Sequence, residues 1–230
     1  MPSEEPTPTA PAPGERSAAA LARRAQIIAA TTDTIAALGY RRTTFARIAE
    51  RGGLSSTRLI SYHFANKDEL VKAVVADVFD SIDRFLLDRA AADPANRPIR
   101  QPADAPPPRP HTGSAAAELR AYITGTVAFV DSHRTRMRAL ASIFAALHDD
   151  EEHAAAYDTD TFRDVLGHLQ GILRRGQARG EFRSCDTFVM AAAIQNALSG
   201  LPFLLRTRPD LNLPAYAEEL ATLFGLATRA

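Results

Sequence analysis

The chain has 230 residues, 46% of them hydrophobic, enough for one good-sized core or two small ones and too many for a globally disordered protein. Basic and acidic residues number 27 each, so the total charge points to no polyanionic partner. The single cysteine, Cys185, excludes an intramolecular disulfide framework and a thiolate metal cage.

Met1–Glu15, "MPSEEPTPTAPAPGE", is rich in proline, lacks core-forming residues and has no basic-then-apolar secretory pattern. It reads as a disordered tail, and the protein is expected in the cytoplasm. No apolar run approaches the roughly 18 residues of a membrane span, so no membrane partner is expected. The charge is unevenly spread, however. Between Arg16 and Lys67 nine basic residues face only Asp33 and Glu50, a local footprint suited to a polyanion.

Leu21, Ala25, Ile28, Thr32 and Ile35 recur at alternating spacings of four and three, one face of a helix that stops at Gly39. A short second helix in "TTFARIAERGG" is capped by Thr43 or Thr44, turns Phe45, Ile48 and Ala49 inward and breaks at Gly52–Gly53. A third runs from about Ser55 to His63, with Ser55 or Ser56 as its cap. Asn66 caps a fourth, with Glu69 placed to reach back to the Asn66 amide. Val71, Val74, Val75, Val78, Ile82 and Phe85 form the apolar stripe of that helix.

Asp93–Gly113 holds seven prolines and no hydrophobic period, so it reads as a flexible or extended surface loop. Helical patterns then resume. Leu119, Tyr122, Ile123 and Phe129 mark one helix, and Met137, Leu140, Phe144 and Leu147 a second. Phe162, Val165, Leu166, Leu169, Ile172 and Leu173 mark a third. Asp186 caps a long apolar fourth reaching Pro202 or just past it, and Tyr216, Leu220, Leu223 and Ala227 mark the last. With no alternating strand pattern, the chain is all-α. Its expected parts are a tail 1–15, a three-helix unit 16–66 and a larger helical bundle 67–230 containing the loop 93–113.

A helix, a glycine-containing turn and a second short helix form a helix-turn-helix. "GGLSSTRLISYHFANKDEL", Gly52–Leu70, concentrates hydrogen-bonding side chains on that second helix. The major groove is about 12 Å wide and admits one helix, whose hydroxyls and guanidinium can meet base edges and phosphates. The free amides at a helix start also suit phosphate. Leu54, Leu59, Ile60 and Phe64 are left to anchor the helix. Lys67 stands in the first turn of the fourth helix, against the macrodipole, and a DNA phosphate would explain a cation there.

Arg23–Leu70 resembles the TetR-type one-component regulators. The features are Gly39 after the first helix, the Thr-Thr cap, Ile48-Ala49, Gly53, Tyr62-x-Phe64 and Asn66-Lys67-Asp68-x-Leu70. The resemblance implies a three-helix DNA-binding domain followed by a helical effector-binding and dimerisation domain, with Thr44, Ser56, Thr57, Arg58, Ser61, Tyr62, His63 and Lys67 facing DNA. Arg42 and Ser55 complete the candidate set. In such proteins the last two helices usually pair two copies, which "FVMAAAIQNALSGLPFLL" and "AYAEELATLFGLA" would do here. The expected partners are a double-stranded DNA operator, a second copy of the chain and a small-molecule effector.

Phe129, His133, Met137, Phe144, Phe162, Leu166, Phe188, Gln195 and Asn196 are candidates to line or orient an apolar ligand site within the bundle, against the simpler reading that each is core or surface. Thr124 and His168 are further polar candidates. "HDDEEH", His148–His153, offers carboxylates and imidazoles, but its histidine spacing does not share a helix face. Ser61, His63 and Asp68 lack the strand-to-helix elbow of a nucleophile, and Cys185 beside Arg183 reads as inert. No metal, cofactor or enzymatic activity is expected. The leading expectation is a repressor released from a palindromic operator by a small apolar ligand. The alternative is a regulator whose C-terminal domain is a protein-interaction and dimerisation module without an effector.

Overall fold

The computed structural model describes residues 13–92, 113–148 and 160–230, the side chains of 13–17, 147–148 and 160–162 excepted. Among these residues there are ten helices: α1 (Pro13–Leu38), α2 (Phe45–Arg51), α3 (Thr57–His63), α4 (Lys67–Ala92), α5 (Ala115–Ser132), α6 (Arg134–His148), α7 (Asp160–Ala178), α8 (Thr187–Ser199), α9 (Leu201–Thr207) and α10 (Leu213–Thr228). The described residues contain no strand, only an isolated bridge between Phe182 and Arg229. The chain is all-α, as expected.

The helices pack as a small head, α1–α3, continuous with a bundle built around α5. Ile27, Ile35, Ile48, Ile60 and Phe64 close the head, and Leu70 and Val71 carry its core into α4. In the bundle α5 contacts α4, α7, α8 and α10, while α1 lies along α6. Helix α5 buries residues around most of its circumference, including Leu119, Ile123, Val127, Phe129 and Val130, as a central helix must. Its start is tied to the α7–α8 corner by Glu181, which accepts from the Ser114 hydroxyl at 2.6 Å and the Ala116 amide at 3.2 Å. Glu118 and Arg175 pair α5 with α7 at 2.7 Å.

Several sequence expectations shift. Helix α1 begins at Pro13, so the last residues of the supposed tail Met1–Glu15 are helical; the rest of that tail lies outside the described residues. Ile28, Thr32 and Ile35 are buried, whereas Leu21 and Ala25 are exposed because the N-terminal half of α1 projects beyond its packing partners. The loop expected at 93–113 also falls outside the described residues, save Gly113.

The long apolar helix after Asp186 is divided at Gly200 into α8 and α9, with Pro202 inside the first turn of α9, where its missing donor is harmless. The expectation that no apolar run approaches a membrane span is corrected here. Within the 21-residue stretch Thr187–Thr207 an 18-residue window reaches a mean hydropathy of 1.6, long and apolar enough by length and composition to cross a membrane, because Arg206 is the only charge in the stretch. Its apolar residues divide between the core (Ala191, Ile194, Leu198, Leu201) and an outward face (Phe188, Val189, Phe203). Helix α10 divides likewise. Ala217, Leu220, Ala221 and Phe224 are buried, while Leu223 and Leu226 face out, so Leu223 does not belong to the inward stripe.

Gly52 sets how closely α1 and α2 approach. A Cβ built there would stand 2.5 Å from the Ala30 Cβ, a stub on a helix that cannot swing aside. Gly52→Ala is therefore expected to lower stability by about 1–3 kcal/mol through overpacking, measured by urea denaturation against the parent chain.

Candidate nucleic-acid interface

Helix α2 starts at Thr44, whose hydroxyl accepts from the Arg47 amide at 3.4 Å, so Thr44 rather than Thr43 is the cap. Thr43 is buried, and its hydroxyl donates to the Gly39 carbonyl at 2.9 Å. The turn between α2 and α3 uses Gly53 at φ +59°, a left-handed conformation that suits glycine. Ser56, with extended φ −167° and ψ 161°, is the residue before α3, although its side chain makes no capping bond. That settles the alternatives Ser55 and Ser56 and gives α3 its register.

The register divides the seven residues of α3 cleanly. At about 100° per residue, Thr57, Ser61, Arg58 and Tyr62 span an arc of roughly 140°, and Leu59, His63 and Ile60 occupy the remainder. Burial follows the same division. Ile60 is fully buried, Leu59 and His63 are half-buried, and Thr57, Arg58, Ser61 and Tyr62 are exposed, Tyr62 at 83%. Arg58 and Tyr62 flank the direction opposite Ile60, so they stand at the crest of the outward face. The Ser61 hydroxyl leans back to the Thr57 carbonyl at 3.4 Å. His63 meets the Tyr62 ring edge-on with centroids 5.1 Å apart, on the flank rather than the crest.

The remaining candidates surround this helix in different states of commitment. Ser55, Ser56 and Thr44 are exposed. Arg42 is exposed but folded back, its Nε donating to the Leu38 carbonyl at 2.7 Å. Lys67 is half-buried. Its Nζ donates to the Tyr40 carbonyl at 2.9 Å and sits 4.0 Å from the centre of the Tyr40 ring. Burial lowers its pKa from the ordinary lysine value, against the opposing effect of neighbouring Asp68. The protein itself therefore supplies a reason for a cation at that helix start, where sequence reasoning finds only DNA. Tyr40 is a partner that sequence reasoning misses. The two are 27 positions apart, and no local pattern joins them.

The start of α4 also differs in detail. The Asn66 side chain caps it, accepting from the Glu69 amide at 2.8 Å. The Glu69 carboxylate reaches one residue further back than expected, accepting from the Ala65 amide at 2.7 Å.

In the bundle, a cavity of about 70 Å³ lies among α4–α9. Met137, Phe144 and Gln195 line it, as do Phe79, Ile82, Tyr122 and Leu140, which sequence patterns mark as core or do not single out. The other candidates lie elsewhere. Phe129 is fully buried with its ring stacked on His133 at 4.2 Å, and His133 borders an open groove between α1 and the α5–α6 corner. Leu166 is half-buried against the core, because it turns away from the cavity that Val165 meets. Phe188 and Asn196 are exposed on the outer side of α8. The side chain of Phe162 and the segment His148–His153 lie outside the described residues. Thr124 borders a separate groove against α10, and the His168 ring lies 5.5 Å from that of Tyr122. Cys185 is half-buried, with the Gln177 amide donating to its carbonyl at 2.9 Å.

Known proteins resemble the chain along most of its length. Residues 27–74 match the family model described as "Bacterial regulatory proteins, tetR family", and residues 109–222 match "Tetracyclin repressor-like, C-terminal domain". The HTH-type transcriptional regulator BetI of Cronobacter sakazakii is 29% identical over 202 residues, covering 86% of this chain and 91% of that protein. BetI of Escherichia coli K12 is 29% identical over 194 residues, 82% and 88% of the two chains. Among solved structures, a TetR-family regulator from Rhodococcus sp. superposes with a TM-score of 0.71 at 18% identity, covering 89% of this chain and 98% of that one. FadR from Bacillus subtilis in complex with stearoyl-CoA superposes with a TM-score of 0.68 at 17% identity, covering 87% and 96%.

The caps make a paired test. Asn66→Ala should cost about 1 kcal/mol, since it removes a formed capping bond, whereas Ser56→Ala, with no such bond to lose, should stay within about 0.5 kcal/mol. Urea denaturation of both variants checks the contrast.

Proposed function

Because the chain belongs to the TetR family of transcriptional regulators, which act by binding DNA, we propose that it is a cytoplasmic, homodimeric repressor, released from a palindromic operator by a small apolar ligand. The observation carrying the DNA contact is the outward arc of α3. Arg58 is suited to grip a guanine edge bidentately, while Thr57, Ser61 and Tyr62 supply hydroxyls for bases and phosphates. Thr44, Ser55, Ser56 and Arg42 flank that arc, and His63 lies at its edge. Lys67 keeps two further N–H donors beyond the one on Tyr40, and a phosphate beside the start of α4 would use them.

Dimerisation rests on the outward apolar faces of α8, α9 and α10. Phe188, Val189, Phe203, Leu223 and Leu226 are all more than half exposed in the single chain, large apolar side chains that a second copy would cover. Two copies joined there would carry two α3 helices to successive major-groove faces about 34 Å apart. A ligand in the α4–α9 cavity acts by binding the DNA-incompetent spacing of the heads more tightly than the competent one. Stearoyl-CoA in Bacillus subtilis FadR, a charged headgroup on a long apolar acyl chain, is a precedent for a ligand with an apolar part on this fold. No enzymatic role is proposed, since the proteins this chain resembles are transcriptional regulators.

A second reading, a C-terminal domain without an effector, has the cavity's volume of about 70 Å³ in its favour. That space has room for only a few water molecules. A thermal-shift screen of small apolar compounds separates the readings, because a true ligand raises the melting temperature by mass action.

Salt-sensitive binding to duplex DNA from upstream of its own gene is the first test, and its absence sinks the proposal. Arg58→Ala should reduce discrimination against mismatched duplexes by about 1–3 kcal/mol, and Lys67→Ala should weaken all duplexes alike and lower the salt slope by about one. Both are read by fluorescence anisotropy across a salt series. Phe203→Glu with Leu223→Glu should leave a folded monomer in sedimentation velocity, with DNA affinity reduced at least tenfold, on the order of 1.4 kcal/mol.

A further inference from the structure

Helix α6 touches two parts of the molecule at once. Met137, Leu140, Ala141 and Phe144 line the cavity. Arg138 and Ser142, turned about 130° away from that face, reach the end of α1 in the head. The Arg138 guanidinium donates to the Ala36 carbonyl at 3.0 Å, and the Ser142 hydroxyl accepts from the Tyr40 amide at 3.0 Å. The Tyr40 carbonyl in turn holds Lys67, the first residue of α4 and the third beyond Phe64, which closes α3. Ala141, against the cavity, and Ser142, against the head, are consecutive residues.

We infer that Ser142 and Arg138 are the coupling residues of this regulator: they latch the α1 C-terminal turn to α6, so that occupation of the cavity displaces the head through Tyr40 and Lys67. The inference rests on the proposed cavity and adds the route by which it acts. The route runs through two side-chain bonds and one backbone carbonyl, a contiguous path whose end lies at the base of α3. Its rival is α4. Arg136 donates to Asp77 at 2.7 Å and to Ser81 at 2.5 Å, so a shift of α6 could also travel there without passing Tyr40.

The two routes separate in a mutant cycle that needs no identified ligand. Ala141→Phe fills the cavity from α6, and the smaller Ala141→Leu serves if the larger side chain prevents folding. Each is combined with Ser142→Ala and, separately, with Ser142→Thr, which keeps the hydroxyl. The first readout is hydrogen exchange of the Tyr40 amide, followed by NMR on the full chain. Filling the cavity should speed this exchange about tenfold both in the parent chain and in the Ser142→Thr background. In the Ser142→Ala background exchange is already fast and should not change further.

The second readout is affinity for the upstream duplex. Filling should weaken it at least about fivefold when the hydroxyl is present and less than about twofold when it is absent. Equal effects with and without the hydroxyl would assign the signal to α4 and overturn the inference, as would a filled cavity that leaves Tyr40 exchange unchanged. If the parent chain binds no DNA, the proposed function fails, while the exchange readout still decides whether cavity and latch are linked.

Discussion

The end of α1 is the point on which the other elements converge. Gly39 turns the chain at φ +84°, leaving the last carbonyls of a 26-residue helix without helical partners. Carbonyls at its end and just beyond it are taken by side chains from the turn itself, from α4 and from α6. Ala36 receives Arg138 from α6, Leu38 receives Arg42, Gly39 receives the buried Thr43 hydroxyl, and Tyr40 receives Lys67 from α4. Three of these donors are cations at a helix C-terminus, where the macrodipole favours positive charge. The same turn thus sets the start of α2, the start of α4 and the contact with the bundle. Helix α3, which has only Ile60 fully buried, is held at both ends by elements fixed there.

A seven-residue helix has little circumference to divide, and that constraint gives the interface its economy. Leu59, Ile60 and His63 go to the head, and nearly everything else faces out. Phe64, just beyond the helix, is almost fully buried and lies under the Arg24 guanidinium at 4.7 Å, so it anchors the end that the helix itself cannot. The outward face is polar by composition and rigid by attachment, the combination a groove reader requires. The bundle divides its residues differently. In α8–α10 apolar residues occupy both the inner and the outer faces, and what separates core from interface is direction rather than residue type.

Much of this is legible in the sequence because it is local. A cap, a glycine break and a three-four apolar spacing concern residues within one or two turns, and the boundaries of α2, α3 and α4 follow from them. The Asn66 cap, the Asp186 cap and the inward set Phe45, Ile48 and Ala49 are of this kind. The tetR-type head is recognisable for the same reason: its features lie within Arg23–Leu70, most of them in short-range turns and caps.

What the sequence by itself determined is therefore the all-α class, the helix-turn-helix and the polar character of α3. The tertiary structure decided which face α3 shows, through the Ser56 boundary and the burial of Ile60. It decided that Lys67 faces Tyr40, that Leu21 and Leu223 face outward, and that Met137 and Phe144 rather than Phe129 or Phe188 border the cavity. The physical reason is common to all of these. Periodicity shows that a helix has an apolar side, but a side becomes core, cavity wall or interface only when another helix, distant in the chain, packs against it or fails to.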